Sequence, residues 1–173
     1  DFLNVNPFHM VPTIDDEGFI VYESNAIAYY LLRKYAPSSK LYPANIKDRA
    51  RIDQVLSTAS CSIQPHLVTF LRPRFWEKTE PTVEEVTSFE KNVLKGLEYL
   101  IGDTMFAVGN EVTLADLSLI GHLIIALENH SIQKAKFPKL TAYYQRLKSA
   151  LPYFEEIHGP AIEFVKEVWA KLK

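Results

Sequence analysis

The 173-residue chain carries 19 basic and 21 acidic side chains, a formal net charge of −2, and is 47% hydrophobic and 23% charged. This is an ordinary globular composition, with Lys and Arg scattered between acids and no basic stripe to argue for nucleic acid. The most apolar run, residues 117–127, is interrupted by Ser118, Gly121 and His122 and is too short to cross a bilayer. The single cysteine, Cys61, excludes an internal disulfide framework and suits a reducing compartment.

In chain order, residues 11–15 (VPTID) and 19–23 (FIVYE) read as two strands joined by DEG. Gly18 supplies the positive φ that so short a hairpin needs. Ser24 then opens SNAIAYYLLRKYA, a helix with Ala26, Ile27, Tyr30 and Leu31 on one face. Tyr29 and Leu32 make its other side apolar too, which predicts burial on two faces, with Tyr29 outward at a two-fold interface or packed between domains. APSSKLYPAN breaks this helix with two prolines and reads as a linker.

From Ile46 onward every element reads as helical. The first is a long helix over 46–76 that Pro65 should kink or break, because proline lacks the backbone donor. Next comes a helix opened by a Thr82/Glu85 capping box and stopped at Gly102. TLADLSLIGHLIIALENH is the most hydrophobic helix and is expected at the centre of the bundle. Its T-x-x-D start, Thr113 to Asp116, is a second capping box flanked by Val112 and Leu117 as a hydrophobic staple. The helices PKLTAYYQRLKSA and PAIEFVKEVWAKLK are each expected to begin at their proline.

The expected fold is therefore α+β. Residues 1–36 form a hairpin plus helix, 37–45 a linker, and 46–173 an all-helical domain. Two strands and one helix leave a sheet edge and an apolar face uncovered. Either the helical domain covers them or further strands precede residue 1, and the second is the expectation. The opening DFLNVNP, which has no initiator Met and reads as the inside of an element, agrees with it.

Two short stretches carry chemistry. The dipeptide Val11–Pro12 is compatible with a cis bond that turns neighbouring main-chain groups outward, or with a trans proline starting an edge strand. Glu23–Ser24 stands at a strand-to-helix junction, where Ser24 is a good N-cap worth ~1 kcal/mol without any ligand. The same junction leaves the first N–H groups of the helix free for an anion. The five histidines show no HExxH or comparable pairing, so no metal site is expected.

Taken together, NPFHMVPTIDDEGFIVYESNAIAYYLLRKY, LYP and VTLADLSLI inside an all-helical remainder resemble a glutathione transferase, with similarity to the arthropod delta and epsilon classes. The resemblance covers the whole chain but begins in the middle of the family's thioredoxin-like domain. It implies conjugation of the glutathione thiol to hydrophobic electrophiles, a detoxification role, a cytoplasmic homodimer, and no cofactor beyond glutathione as co-substrate. It also implies a cis Val11–Pro12 bond whose Val11 main chain pairs with the cysteinyl backbone by strand addition. Ser24 would hold the γ-glutamyl carboxylate, Glu23 its ammonium, and Asn25 an added amide contact where relatives often carry a basic residue. His9 would lie near the glycyl carboxylate, although a lone loop histidine is also an ordinary solvated side chain. Leu67, Phe70, Leu71 and Phe75, joined by Ile63, could line the acceptor pocket, with Phe164 and Trp169 closing it. Each of them could equally be core, and Arg72 and Arg74 pocket edge or surface.

The thiol-activating serine of the delta and epsilon classes sits on the first strand-to-helix turn, and no residue of this chain can be assigned that catalytic role. Lowering a thiol pKa by two units takes about 2.7 kcal/mol of preferential anion stabilisation. The first long helix, VLSTASCS at its middle, also lacks the acid that the family often places there. The rival expectation is a non-catalytic glutathione-binding or interaction module on the same fold.

Overall fold

Glu17 and Gly18 both take positive φ, 55° and 88°, the backbone of a two-residue hairpin turn whose twist matches that of its strands. In this computed structural model, which describes residues 2–173, β1 (Thr13–Asp16) pairs antiparallel with β2 (Phe19–Tyr22), Thr13 facing Tyr22 and Asp16 facing Phe19. Residue 1, the start of the first expected domain, lies outside the described residues. The Asp15 carboxylate accepts the Gly18 N–H at 2.7 Å and closes the turn. The ladder begins at Thr13 rather than at Val11, since Pro12 has no N–H to offer it.

Helix α1 (Ser24–Tyr35) is tied to the hairpin through Asp16, which accepts hydrogen bonds from Tyr30, Lys34 and Tyr35. Lys34 foremost, then Tyr30, hold the Asp16 carboxyl down at about 2. Tyr29 does not face outward. Its hydroxyl donates to Asp53 at 2.6 Å, and its ring lies 5.1 Å from that of Tyr42, which also donates to Asp53. The half-buried Asp53 carboxylate thus accepts from two phenols, one on α1 and one on the linker, and the helix turns this face to the bundle.

Among the described residues, every buried hydrophobic side chain except Ile27 and Tyr42 comes from residue 52 onward. The core therefore belongs to the helices, and the hairpin and α1 lean on it. Helix α2 (Ile46–Thr58) starts at Asn45, whose side chain accepts the N–H groups of Lys47 and Asp48. It runs through a π turn (Ala59–Ile63) into α3 (Gln64–Trp76). Pro65 cannot donate to Cys61 and its ring would crowd that carbonyl. The wider turn, with Gln64 N–H bonded to the Ala59 carbonyl, accommodates both without a break.

Helices α4 (Val83–Phe89) and α5 (Lys95–Leu100) are likewise joined by a π turn (Glu90–Leu94) and end before Gly102 at φ 57°. Thr82 and Glu85 form the expected capping box, and Glu85 does more. Its carboxylate grips the guanidinium of Arg74, which is fully buried and lies over the Phe70 ring. Arg74 is thus neither pocket edge nor surface. That cation holds the Glu85 carboxyl down at about 2.

Helix α6 (Leu114–Leu127) buries nine of its 14 residues and packs against α2, α7 (Pro138–Ala150) and α8 (Phe154–Ala170). The Asp116 carboxylate, also fully buried, accepts Thr113 N–H at 2.7 Å, Thr113 hydroxyl at 2.9 Å, Ala107 N–H at 2.8 Å and Tyr143 hydroxyl at 2.6 Å. Leu114 N–H, an orphan donor of the first turn, bonds to the Leu41 carbonyl at 2.8 Å and fastens the LYP linker to α6. Pro138 stands at the start of α7 as expected, but Pro160 lies inside α8, which starts six residues earlier at Phe154. An interior proline costs about 3 kcal/mol. Burial of Phe154, Ile162, Val165, Val168 and Trp169 along one face offsets it, at ~1.5–3 kcal/mol for each large side chain.

Candidate functional site

The register of the hairpin decides which groups meet. Thr13 faces Tyr22, so the residues that flank this last pair, Pro12 before β1 and Glu23 after β2, leave the hairpin at the same end, beside the entrance to α1. Asn6 shapes the approach. Fully buried, it donates to the Met10 carbonyl at 2.8 Å and to the Thr13 hydroxyl at 3.0 Å, and accepts the Phe8 N–H at 3.0 Å. Three bonds from one side chain fix the loop that carries His9, at φ 54°, and the cis Val11–Pro12 peptide. Val11 is 80% exposed and makes no hydrogen bond among the described residues, so its main-chain groups face outward unpaired. His9 is exposed, its ring 5.5 Å from that of Phe2.

At the other side of the entrance, the residue that caps α1 is Glu23, not Ser24. Ser24 is the first helical residue, and among the described residues neither its hydroxyl nor the Glu23 side chain forms a capping bond. Glu23 stands at φ 71° and ψ 115° with an exposed carboxylate that pairs with nothing among the described residues. A non-glycine residue at such a φ costs on the order of 1–2 kcal/mol, and glycine would avoid the cost. The first helical bond runs from Ile27 N–H to the Glu23 carbonyl, which leaves the N–H groups of Ser24, Asn25 and Ala26 without helical acceptors. Unpaired donors at the positive end of a helix dipole, next to one unpaired carboxylate, suit a ligand carrying an anion and a cation close together.

Ser24 and Asn25 also belong to the wall of a cavity of about 620 Å³ between α1, α3, α6 and α8. The Asn25 amide reaches Ser60 at 3.4 Å on the π turn. The remaining wall is mostly apolar, from Phe75, Leu117, Ile120, Ile124, Phe164 and Val165, with Gly121, His122 and His158 set among them. Of the residues expected around an acceptor, Phe75 and Phe164 line this cavity and stack on each other at 5.6 Å. Leu67, Phe70, Leu71 and Trp169, with Ile63, do not. They are buried in the bundle core, where Phe70 stacks on Phe89 at 4.1 Å and Trp169 donates to Ser131. One apolar stripe on α3 serves both core and cavity, and only the neighbouring helices divide it.

Burial keeps both cavity histidines below the usual imidazole range, so they are neutral at pH 7. The sequence assigns neither of them to a pocket: His122 stands there only as an interruption of the most apolar run, and both belong to a set of histidines without metal-ligand spacing. Asn6 and Asp53 gave no such signal. Among the described residues, no three His, Cys, Asp or Glu side chains come together as a metal site.

Comparison with known proteins accords with this geometry. The family model of the glutathione S-transferase N-terminal domain matches residues 1–33, and that of the glutathione S-transferase C-terminal domain matches residues 58–150. An epsilon-class glutathione S-transferase from the housefly, Musca domestica, superposes with a TM-score of 0.84 at 29% identity, over 98% of this chain and 78% of its own. A glutathione transferase homologue from Drosophila mojavensis with bound glutathione gives 0.84 at 29%, over 99% and 78%. A delta-class enzyme from Nilaparvata lugens gives 0.85 at 24%, over 98% and 78%, a likeness of fold. The architecture is that of this family, a short thioredoxin-like part followed by a helical domain. With both models matched, and the C-terminal one over more than half of this chain's 173 residues, the chain belongs to the glutathione S-transferase family.

Proposed function

We propose that this chain binds glutathione across the Val11–Pro12 loop and the entrance to α1, and presents its thiol to a hydrophobic electrophile held in the adjoining cavity. In this reading the γ-glutamyl carboxylate lies on the N–H groups of Ser24 and Asn25 and the Ser24 hydroxyl. The γ-glutamyl ammonium pairs with Glu23. The outward main chain of Val11 pairs with the cysteinyl backbone as an added strand, and His9 meets the glycyl carboxylate. No residue of the chain is assigned a thiol-activating role. The observation that carries the proposal is that Ser24 and Asn25 belong to both features, so a peptide bound at one lies against the mouth of the other. The positive φ of Glu23 supports it as well, because backbone strain at an unpaired charged residue has no structural use visible in the fold.

In the same reading residues 1–36 are the remainder of a thioredoxin-like domain, 37–45 a linker and 46–173 the helical domain. The protein works as a cytoplasmic homodimer in detoxification. Exposed Phe19, Leu31 and Tyr35 on the hairpin and α1 supply apolar surface for the two-fold contact, which light scattering after gel filtration tests as twice the chain mass. Retention on immobilised glutathione is expected to fall at least tenfold in Glu23→Ala and Ser24→Ala. Undiminished retention in both refutes the assignment. Spectrophotometric conjugation of a chlorinated dinitrobenzene tests turnover, and a folded protein with no rate above background reduces the proposal to binding alone.

A further inference from the structure

Among the described residues the side chains of Gln64, Ser118 and His158 in the cavity wall form no hydrogen bond, and His122, beside them, has a free atom whose role as acceptor the geometry fixes. Nδ1 of His122 lies 3.2 Å from the Ser118 carbonyl oxygen on the preceding turn of α6. A carbonyl only accepts, so Nδ1 carries the proton. In a neutral imidazole the other nitrogen, Nε2, is then a bare acceptor. Nε2 has no hydrogen-bond partner among the described residues, and it is not one of the buried polar atoms left unpaired. It is therefore open to whatever enters the cavity that His122 lines.

Beside it, Gly121 leaves room. A Cβ built there would meet nothing within 4 Å, so the α6 wall is recessed next to the imidazole. Among the described residues, the only other titratable side chain in the lining is His158 on α8, its ring against Phe154 at 4.9 Å. No Asp, Glu, Lys or Arg among the described residues belongs to the lining. Resting on the reading of this cavity as the acceptor site, we propose that His122 Nε2 makes it selective for apolar molecules bearing a hydroxyl, which donates to that nitrogen while the ring system fills the recess over Gly121.

An apolar wall alone ranks ligands by hydrophobicity, and a hydroxyl then weakens binding because it loses water. An unpaired acceptor in the wall reverses that order. The test is fluorescence titration of the full chain with 1-naphthol and with naphthalene. Tighter binding of 1-naphthol by about 2- to 10-fold is expected, the worth of one net hydrogen bond. In His122→Phe the order reverts to naphthalene at least equal to naphthol, and in His158→Phe the preference for naphthol persists. Equal or weaker naphthol binding by the unaltered chain overturns the proposal, as does a preference that survives in His122→Phe or disappears in His158→Phe. Should His122→Phe fail to fold, ¹⁵N NMR of the unaltered protein decides. The unprotonated His122 nitrogen moves upfield with naphthol and not with naphthalene, and no movement overturns the assignment. Retention on immobilised glutathione, measured on the same samples, separates a failure here from a failure of the glutathione reading.

Discussion

Replacing Asp116 with alanine removes one carboxylate and strands four donors at once: Thr113 N–H, Thr113 hydroxyl, Ala107 N–H and Tyr143 hydroxyl. A lost helix cap by itself costs ~1 kcal/mol. Here the carboxylate is fully buried and its partners come from three places: the 107 loop, the start of α6 and α7. Each buried donor left without an acceptor costs about 1–3 kcal/mol, reduced wherever a donor finds water in the space vacated. The Thr113 hydroxyl can rotate to another acceptor, and one water can serve part of the rest. The remaining deficit is about 3–5 kcal/mol, the scale of a broken buried network. Burial, then Asp116 itself, push the Tyr143 phenol far above its usual range, so it remains a donor throughout the measurable pH range. Urea unfolding followed by far-UV circular dichroism at pH 7 gives the loss directly, with an unchanged m value showing that the same surface is exposed. Tyr143→Phe, which leaves the carboxylate three of its donor bonds, should cost about 1–2 kcal/mol. A loss of ~1 kcal/mol or less for Asp116→Ala would reduce this residue to a simple cap and refute the network argument.

Other consequences follow from single geometries. Glu23→Gly removes both the carboxylate and the backbone strain at φ 71°. Stability should stay the same or rise by up to ~1 kcal/mol in a thermal melt while glutathione retention falls, and a loss of stability contradicts the strain argument. Glu85→Ala leaves the buried Arg74 cation unpaired and opens the Thr82 box. Because Glu85 is 38% exposed, the expected cost is about 2–3 kcal/mol, below the full penalty for a dry pair. The Glu85 and Asp16 carboxyls both sit at about 2 in the fold, beneath their ordinary values of 4.5 and 3.8. The unfolded chain therefore binds more protons in that window, and their contribution is complete above pH ~4.5 and lost as pH falls towards 2. Acid titration of stability should show a shallower limb in Glu85→Gln. Gly121→Ala, with open space where its methyl would stand, should stabilise α6 by up to ~1 kcal/mol. Destabilisation would mean that the recess is not there.

The hairpin was legible because its turn chemistry is local. Glu-Gly between alternating strands leaves little choice, and the TLAD start of α6 is similarly self-contained. The cavity was not legible in the same way. Phe75 and Phe70 differ by five residues on one helix, yet one faces the cavity and the other stacks on Phe89, because α4 and α8 divide the stripe between them. The two prolines tell the same story. Pro65 fell at a weak point and was absorbed by a π turn, while Pro160 was carried inside a helix by a buried face that outweighs it. Ser24 has the composition of an N-cap, but the chain leaves β2 at Glu23 with a positive φ and the cap position falls one residue earlier. Asn6, which organises the whole approach to Pro12, is indistinguishable in sequence from any polar loop residue.

The central claim is that outward main-chain groups at Val11 and unpaired N–H groups at Ser24 and Asn25 hold the two ends of one small peptide. Backbone amide NMR of this chain tests it most directly, with glutathione and then cysteinylglycine, which lacks the γ-glutamyl end, added in turn. The account predicts that glutathione shifts the resonances of Val11, Ser24 and Asn25 together, and that cysteinylglycine shifts Val11 while leaving Ser24 and Asn25 unmoved. Shifts gathered elsewhere on the surface, or Ser24 and Asn25 responding equally to both compounds, would contradict it.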